Sequence, residues 1–146
     1  MCSSFMMASQ AAKMKSFKTY TTMNESIAYT AVVLDKKSHD LLVSEMKHHI
    51  PEGWEVYAHH MTINMGAYKI RDEVGKRVTL TASSVAHDAK VVAVSVYGYP
   101  SSNSQPHITV AVNKAEGGKP KDSNSLKKWE TIHPIRLTGT VTEVSQ

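Results

Sequence analysis

Two tetrads, His60-Met61-Thr62-Ile63 and His107-Ile108-Thr109-Val110, constrain this chain more than any other feature. Each lies in an apolar run, Val56 to Met65 and Pro106 to Val112, that reads as a β-strand. Side chains two apart on a strand share a face, so His-x-Thr aims an imidazole and a hydroxyl the same way. Two such elements in 146 residues imply two related halves that each give a histidine and a threonine to one shared cleft.

A cleft of that composition suits a phosphate ester. Opening a phosphodiester without a metal needs a base for the attacking hydroxyl or water and an acid for the departing oxygen, and two histidines supply both near neutral pH. Such proton transfer is worth roughly two to four orders of magnitude in rate, and a hydroxyl beside each imidazole can bond the non-bridging oxygens as charge builds. A net charge of +4 and a pI near 9.1 favour an anionic partner.

The paired tetrads resemble the signature of the 2H phosphoesterase superfamily, two His-x-Thr/Ser-x motifs with hydrophobic x. The resemblance runs from the strand-like Ile27-Ala28-Tyr29-Thr30-Ala31-Val32-Val33-Leu34 to Leu137-Thr138-Gly139-Thr140-Val141-Thr142-Glu143-Val144. It implies a two-lobed α+β fold with a mostly antiparallel sheet, two or so helices and a central cleft. It also implies a metal-independent phosphodiesterase without cofactor, with His60 and His107 catalytic and Thr62 and Thr109 binding phosphate. By analogy His60 protonates the leaving oxygen and His107 activates the nucleophile. Members include LigT-type bacterial RNA 2′,3′-cyclic phosphodiesterases, cyclic phosphodiesterase parts of tRNA ligases, viral 2′,5′-oligoadenylate phosphodiesterases and phage anti-CBASS enzymes.

Further substrate contacts are expected from Tyr29, on the strand that borders the cleft in this superfamily, and from Lys114, Lys119 and Lys121 in the loop after the second motif. Trp129 is expected on a short helix from about Ser123 to Glu130, where it can meet a nucleobase. His59 points to the strand face opposite His60, which gives it a core or surface place. The histidines lack the spacings that organise a zinc site.

Periodicity fills in the remainder. Ile27 to Leu34 reads as a buried strand, followed by a helix that Asp35 or Ser38 caps and Pro51-Glu52-Gly53 ends. Trp54 to Met65 reads as one continuous strand, with Val56, Ala58, His60 and Thr62 on one face. Strands are also expected at Arg77–Thr81, Val91–Val96, about Gln105–Asn113 and Ile135–Val144. Residues 1–24 read as a flexible leader, with Met14 an alternative start, and residues 25–146 as a single domain.

The lone Cys2 rules out an intramolecular disulfide, and no stretch approaches the roughly 18 apolar residues of a membrane span. The expected setting is the cytoplasm, that of a host if the chain is of phage or viral origin, with no membrane and no obligate protein partner. The small size and the phage-like Met14-Lys15-Ser16-Phe17-Lys18 favour cleavage of a small cyclic or 2′,5′-linked oligonucleotide signal, an immune-evasion role of the anti-CBASS type. The first alternative is an RNA 2′,3′-cyclic phosphodiesterase in RNA-end processing. An alternative of another class is a non-catalytic nucleotide-binding protein of the same fold.

Overall fold

The β-branched run Ile27–Leu34 forms β1, and Asp35 turns the chain into helix α1, Lys36–Glu45. The Asp35 carboxylate accepts from the Ser38 amide at 2.9 Å, satisfying one of the donors that a helix start leaves open. Leu42 and Met46 point from α1 into the core. The computed structural model describes residues 26–145, and residues 29–143 make up one compact unit. The expected leader, 1–24, with the alternative start at Met14, lies outside the described residues.

Six further strands follow: β2 (Glu55–Val56), β3 (His60–Met65), β4 (Arg77–His87), β5 (Val91–Tyr97), β6 (His107–Val112) and β7 (Glu130–Ser145). They form one sheet in the order β2-β6-β3-β1-β7-β4-β5, and β6 also pairs with β5, so the far end of the sheet returns to β6. The β1–β3, β2–β6, β3–β6, β4–β5, β4–β7 and β5–β6 pairs are antiparallel. The architecture is α+β, as expected, with α1 and four short 3₁₀ segments among the described residues.

The main core gathers alternate side chains from these strands, among them Val32, Met61, Leu80, Val94, Ile108 and Leu137, all fully buried. A smaller apolar cluster of Ala86, Val91, Ala93 and Val112 is covered by Leu126, with Trp129 and Tyr57 packed at its edge. Apolar packing on both faces explains why β5 is buried from Val91 to Val96 and lacks a polar side.

Two expectations are corrected. The segment expected as a helix from Ser123 to Glu130 is a 3₁₀ turn over Pro120–Ser125; Leu126 is already extended (φ −68, ψ 140), and Glu130 starts β7. The run Asp122-Ser123-Asn124-Ser125 is poor in helix formers, and its side chains compete for backbone partners: the Asp122 carboxylate accepts from the Lys119 amide at 2.9 Å.

The continuous strand expected from Trp54 to Met65 is broken into β2 and β3. Val56 pairs with Ala111 and Met61 with Ile108, so four residues, Tyr57 to His60, cover the span that Thr109 and Val110 cover on β6. The surplus is taken up as a bulge at Ala58, which adopts φ 45 and is fully buried, off the face it was expected to share with His60.

Candidate active site

The bulge is held from three sides. The Ala58 amide donates to the Thr109 carbonyl at 2.9 Å, and the Leu34 amide donates to the His59 carbonyl at 2.9 Å. From α1, the His39 Nδ1–H donates to the Ala58 carbonyl at 2.9 Å. The backbone that carries His59 and His60 is thereby tied to β6, β1 and the helix.

Met61 and Ile108 pair across the two motif strands and turn inward, both fully buried. His60 and Thr62 flank Met61, and His107 and Thr109 flank Ile108; all four are half-buried and line one cavity of about 220 Å³. This is the shared cleft that the tetrads imply. Lys121 and Asn124 line it from the 3₁₀ segment and Asn103 from the loop before β6, while no Asp or Glu does so among the described residues. The lining is therefore cationic and rich in hydrogen-bond donors, a setting for a phosphate anion.

The two imidazoles are held differently. His107 donates from Nδ1 to the Gln105 carbonyl at 2.8 Å, leaving Nε2 for proton exchange. His60 Nδ1 lies 2.8 Å from His59 Nδ1, and the two rings meet edge to face, 5.0 Å between centroids. The Tyr29 ring stacks on His60 at 5.0 Å between centroids and an interplanar angle of 28°. Burial first, and then the electrostatic influence of the neighbouring His59 and His107 rings, push the His60 imidazole down to about 4. His60 is neutral at pH 7 in the free protein.

Thr62 and Thr109 differ in freedom. The Thr109 hydroxyl lies 2.8 Å from Ser123 Oγ and 3.2 Å from the Pro120 carbonyl, so it ties β6 to the 3₁₀ segment. Thr62 anchors the opposite wall through its backbone carbonyl, which accepts from Ser101 Oγ at 2.8 Å.

The other expected substrate contacts lie elsewhere. Tyr29 meets the site through His60 and does not line the cavity. Lys114 is outside it, paired with Glu55 at 3.3 Å and placed over the Tyr57 ring at 5.9 Å. Lys119 is also outside; of the three lysines expected from that loop, Lys121 lines the cavity. Trp129 packs on the smaller apolar cluster and lines a separate depression with Val85, His87 and Lys128.

Sequence periodicity missed His59, Asn103 and Asn124 as lining residues. The first reaches the cavity only because of the bulge, and the others stand on connections that tertiary packing delivers. Among the described residues no three of His, Cys, Asp and Glu are grouped to hold a metal ion, and no helix is long and apolar enough to cross a membrane.

No curated protein and no solved structure matches this chain. Residues 6–134, most of the chain, match the model of the fungal tRNA ligase phosphodiesterase domain. With both His-x-Thr motifs facing one cavity, the chain belongs to that family, within the 2H phosphoesterase superfamily.

Proposed function

We propose that the chain is a phosphodiesterase that opens the 2′,3′-cyclic phosphate at an RNA end. The observation that carries the reading is the convergence of His60, Thr62, His107 and Thr109 on one cavity without a carboxylate. The family match, whose description names a tRNA ligase, supports RNA as the substrate class. It lends no support to the immune-signal role that the size and opening residues suggest. Cavity size points the same way: about 220 Å³ lies below the roughly 300–1,000 Å³ of common ligand pockets, which suits a cyclic phosphate and ribose with the rest of the strand outside.

In the proposed reaction, water attacks phosphorus as His60 Nε2 removes its proton. The bond from phosphorus to one ribose oxygen breaks, and His107 Nε2–H protonates that oxygen. One water is added, giving a phosphomonoester and a free ribose hydroxyl, and the two imidazoles reset by proton exchange with solvent. This exchanges the acid and base roles that analogy suggests. A neutral His60 supports it, as does the Gln105 carbonyl, which accepts from His107 Nδ1 whether or not Nε2 carries a proton. The bound phosphate anion favours the protonated form of His60 and so raises its proton affinity during turnover. Lys121, Asn103, Asn124 and the Thr62 hydroxyl supply the contacts to the non-bridging oxygens.

A chelator-treated substrate panel tests this reading, read by mass spectrometry. It comprises RNA with a 2′,3′-cyclic phosphate end, 2′,3′-cyclic mononucleotides, 2′,5′-oligoadenylate and cyclic dinucleotides. Gain of one water by the cyclic-ended RNA is the expected result. Turnover confined to the oligoadenylate or the cyclic dinucleotides would replace it with the signal-degrading reading, and no turnover would favour a binding protein.

A further inference from the structure

We propose that His59 is a positioning residue for His60: its Nδ1 lone pair accepts the His60 Nδ1–H, which holds the His60 ring with Nε2 bare and turned to the substrate. The proposal rests on the phosphodiesterase reading for its rate effects, though not for its structural content. Two Nδ1 atoms 2.8 Å apart require one donor and one acceptor. If His59 were the donor, a neutral His60 would present Nε2–H to the cavity and could take no proton there. The opposite arrangement gives His60 a basic Nε2 and keeps its Nδ1–H bonded when Nε2 becomes protonated.

The surroundings leave this task to His59. A catalytic imidazole is commonly oriented through its second nitrogen by a carboxylate or a backbone carbonyl, as His107 is by Gln105. No Asp or Glu lines the cavity among the described residues. The titratable groups around His60 are the stacked Tyr29 ring from β1, His107 from β6 and His59 itself, with Lys121 and Tyr57 elsewhere in the same cavity lining. Burial holds the Tyr29 phenol above its ordinary value, so it stays neutral. His59 is fixed for the task by its backbone: its carbonyl accepts from Leu34, and the carbonyl before it accepts from His39. The Ala58 bulge brings two consecutive histidines to one cavity, where an unbroken strand would have sent them to opposite faces.

The test compares the full chain with His59→Ala and His59→Asn, whose side-chain amide can reproduce the position of Nδ1. Imidazole nitrogen NMR without substrate reads the His60 tautomer and its titration midpoint. Rates on a 2′,3′-cyclic phosphate substrate give kcat and KM against pH. The expected wild-type state is Nδ1–H. In His59→Ala the Nε2–H tautomer appears, while kcat falls roughly 10–100-fold with KM nearly unchanged. His59→Asn restores most of kcat. An Nε2–H tautomer in the wild type overturns the proposal even if the alanine variant fails to fold. An unmoved tautomer in His59→Ala, or an asparagine variant no better than alanine, overturns it as well. Absence of wild-type turnover would count against the phosphodiesterase reading and leave the NMR result to decide the role of His59.

Discussion

The Nδ1 of His107 donates to the Gln105 carbonyl, 2.8 Å away, within its own strand entry, while the Nδ1 of His60 meets a second imidazole. Two motifs of the same pattern therefore hold their histidines by different means. That asymmetry gives two similar groups opposite tasks in one reaction, and it can be measured.

Stability carries the signature of His60. Burial holds its imidazole down to about 4 in the folded protein, against about 6.5 for an ordinary imidazole. Between these values the unfolded chain holds a proton that the folded chain does not. Stability from this group is thus full above about pH 6.5 and is lost as pH falls toward 4, by roughly 3 kcal/mol in all. Thermal melts from pH 8 to 4 should show this loss in the wild type and a shallower decline in His60→Gln; parallel curves would show that His60 is not depressed.

The two threonines should separate kinetically. Thr109→Val cuts the tie to Ser123 and Pro120, so the 3₁₀ segment with Lys121 and Asn124 loosens and KM rises. Thr62→Val leaves that segment in place and removes a hydroxyl from the cavity wall, so kcat falls by roughly 10-fold or more while the fold is retained. Steady-state kinetics on both variants, with Thr109→Ser as the restoring change, checks the split.

Ala58 tests the bulge. Its φ of 45 is sterically costly for a β-branched side chain and free for glycine. Ala58→Gly should fold with stability within about 1 kcal/mol of the wild type, lost methyl burial offsetting relieved strain. Ala58→Val should lose roughly 2 kcal/mol or more, since the site is fully buried as well as left-handed. Urea denaturation of the pair gives the comparison.

His39 supports the same bulge from α1. His39→Leu leaves the Ala58 carbonyl without this donor, at a cost of about 1 kcal/mol. Activity should fall by more than stability alone explains, because the backbone carrying His59 and His60 relaxes. Kinetics at a temperature well below the melting point separates the two effects.

Much of the fold follows from local pattern. β1 and β5 are rich in β-branched residues, and Asp35 places the start of α1 because its carboxylate can reach the Ser38 amide. His60, Thr62, His107 and Thr109 were legible as one site because strand alternation puts each pair on one face. The break between β2 and β3 was not legible, since it depends on how many residues the opposing β6 offers, a non-local quantity. His59 was misplaced for that reason. Lys114 and Lys119 were plausible from loop composition, yet which lysine of a loop faces a cavity is decided by the 3₁₀ turn and its tie to Thr109. Trp129 belongs to a core that only the return of β5 to β6 creates.

The most direct test of the central claim is single-turnover cleavage of an RNA ending in a 2′,3′-cyclic phosphate by the wild type, His60→Ala, His107→Ala and the double variant, each shown to be folded. The account predicts a loss of roughly 10²–10⁴-fold for each single variant and little further loss in the double, because the two imidazoles act as one unit. Wild-type rates in either single variant would contradict it.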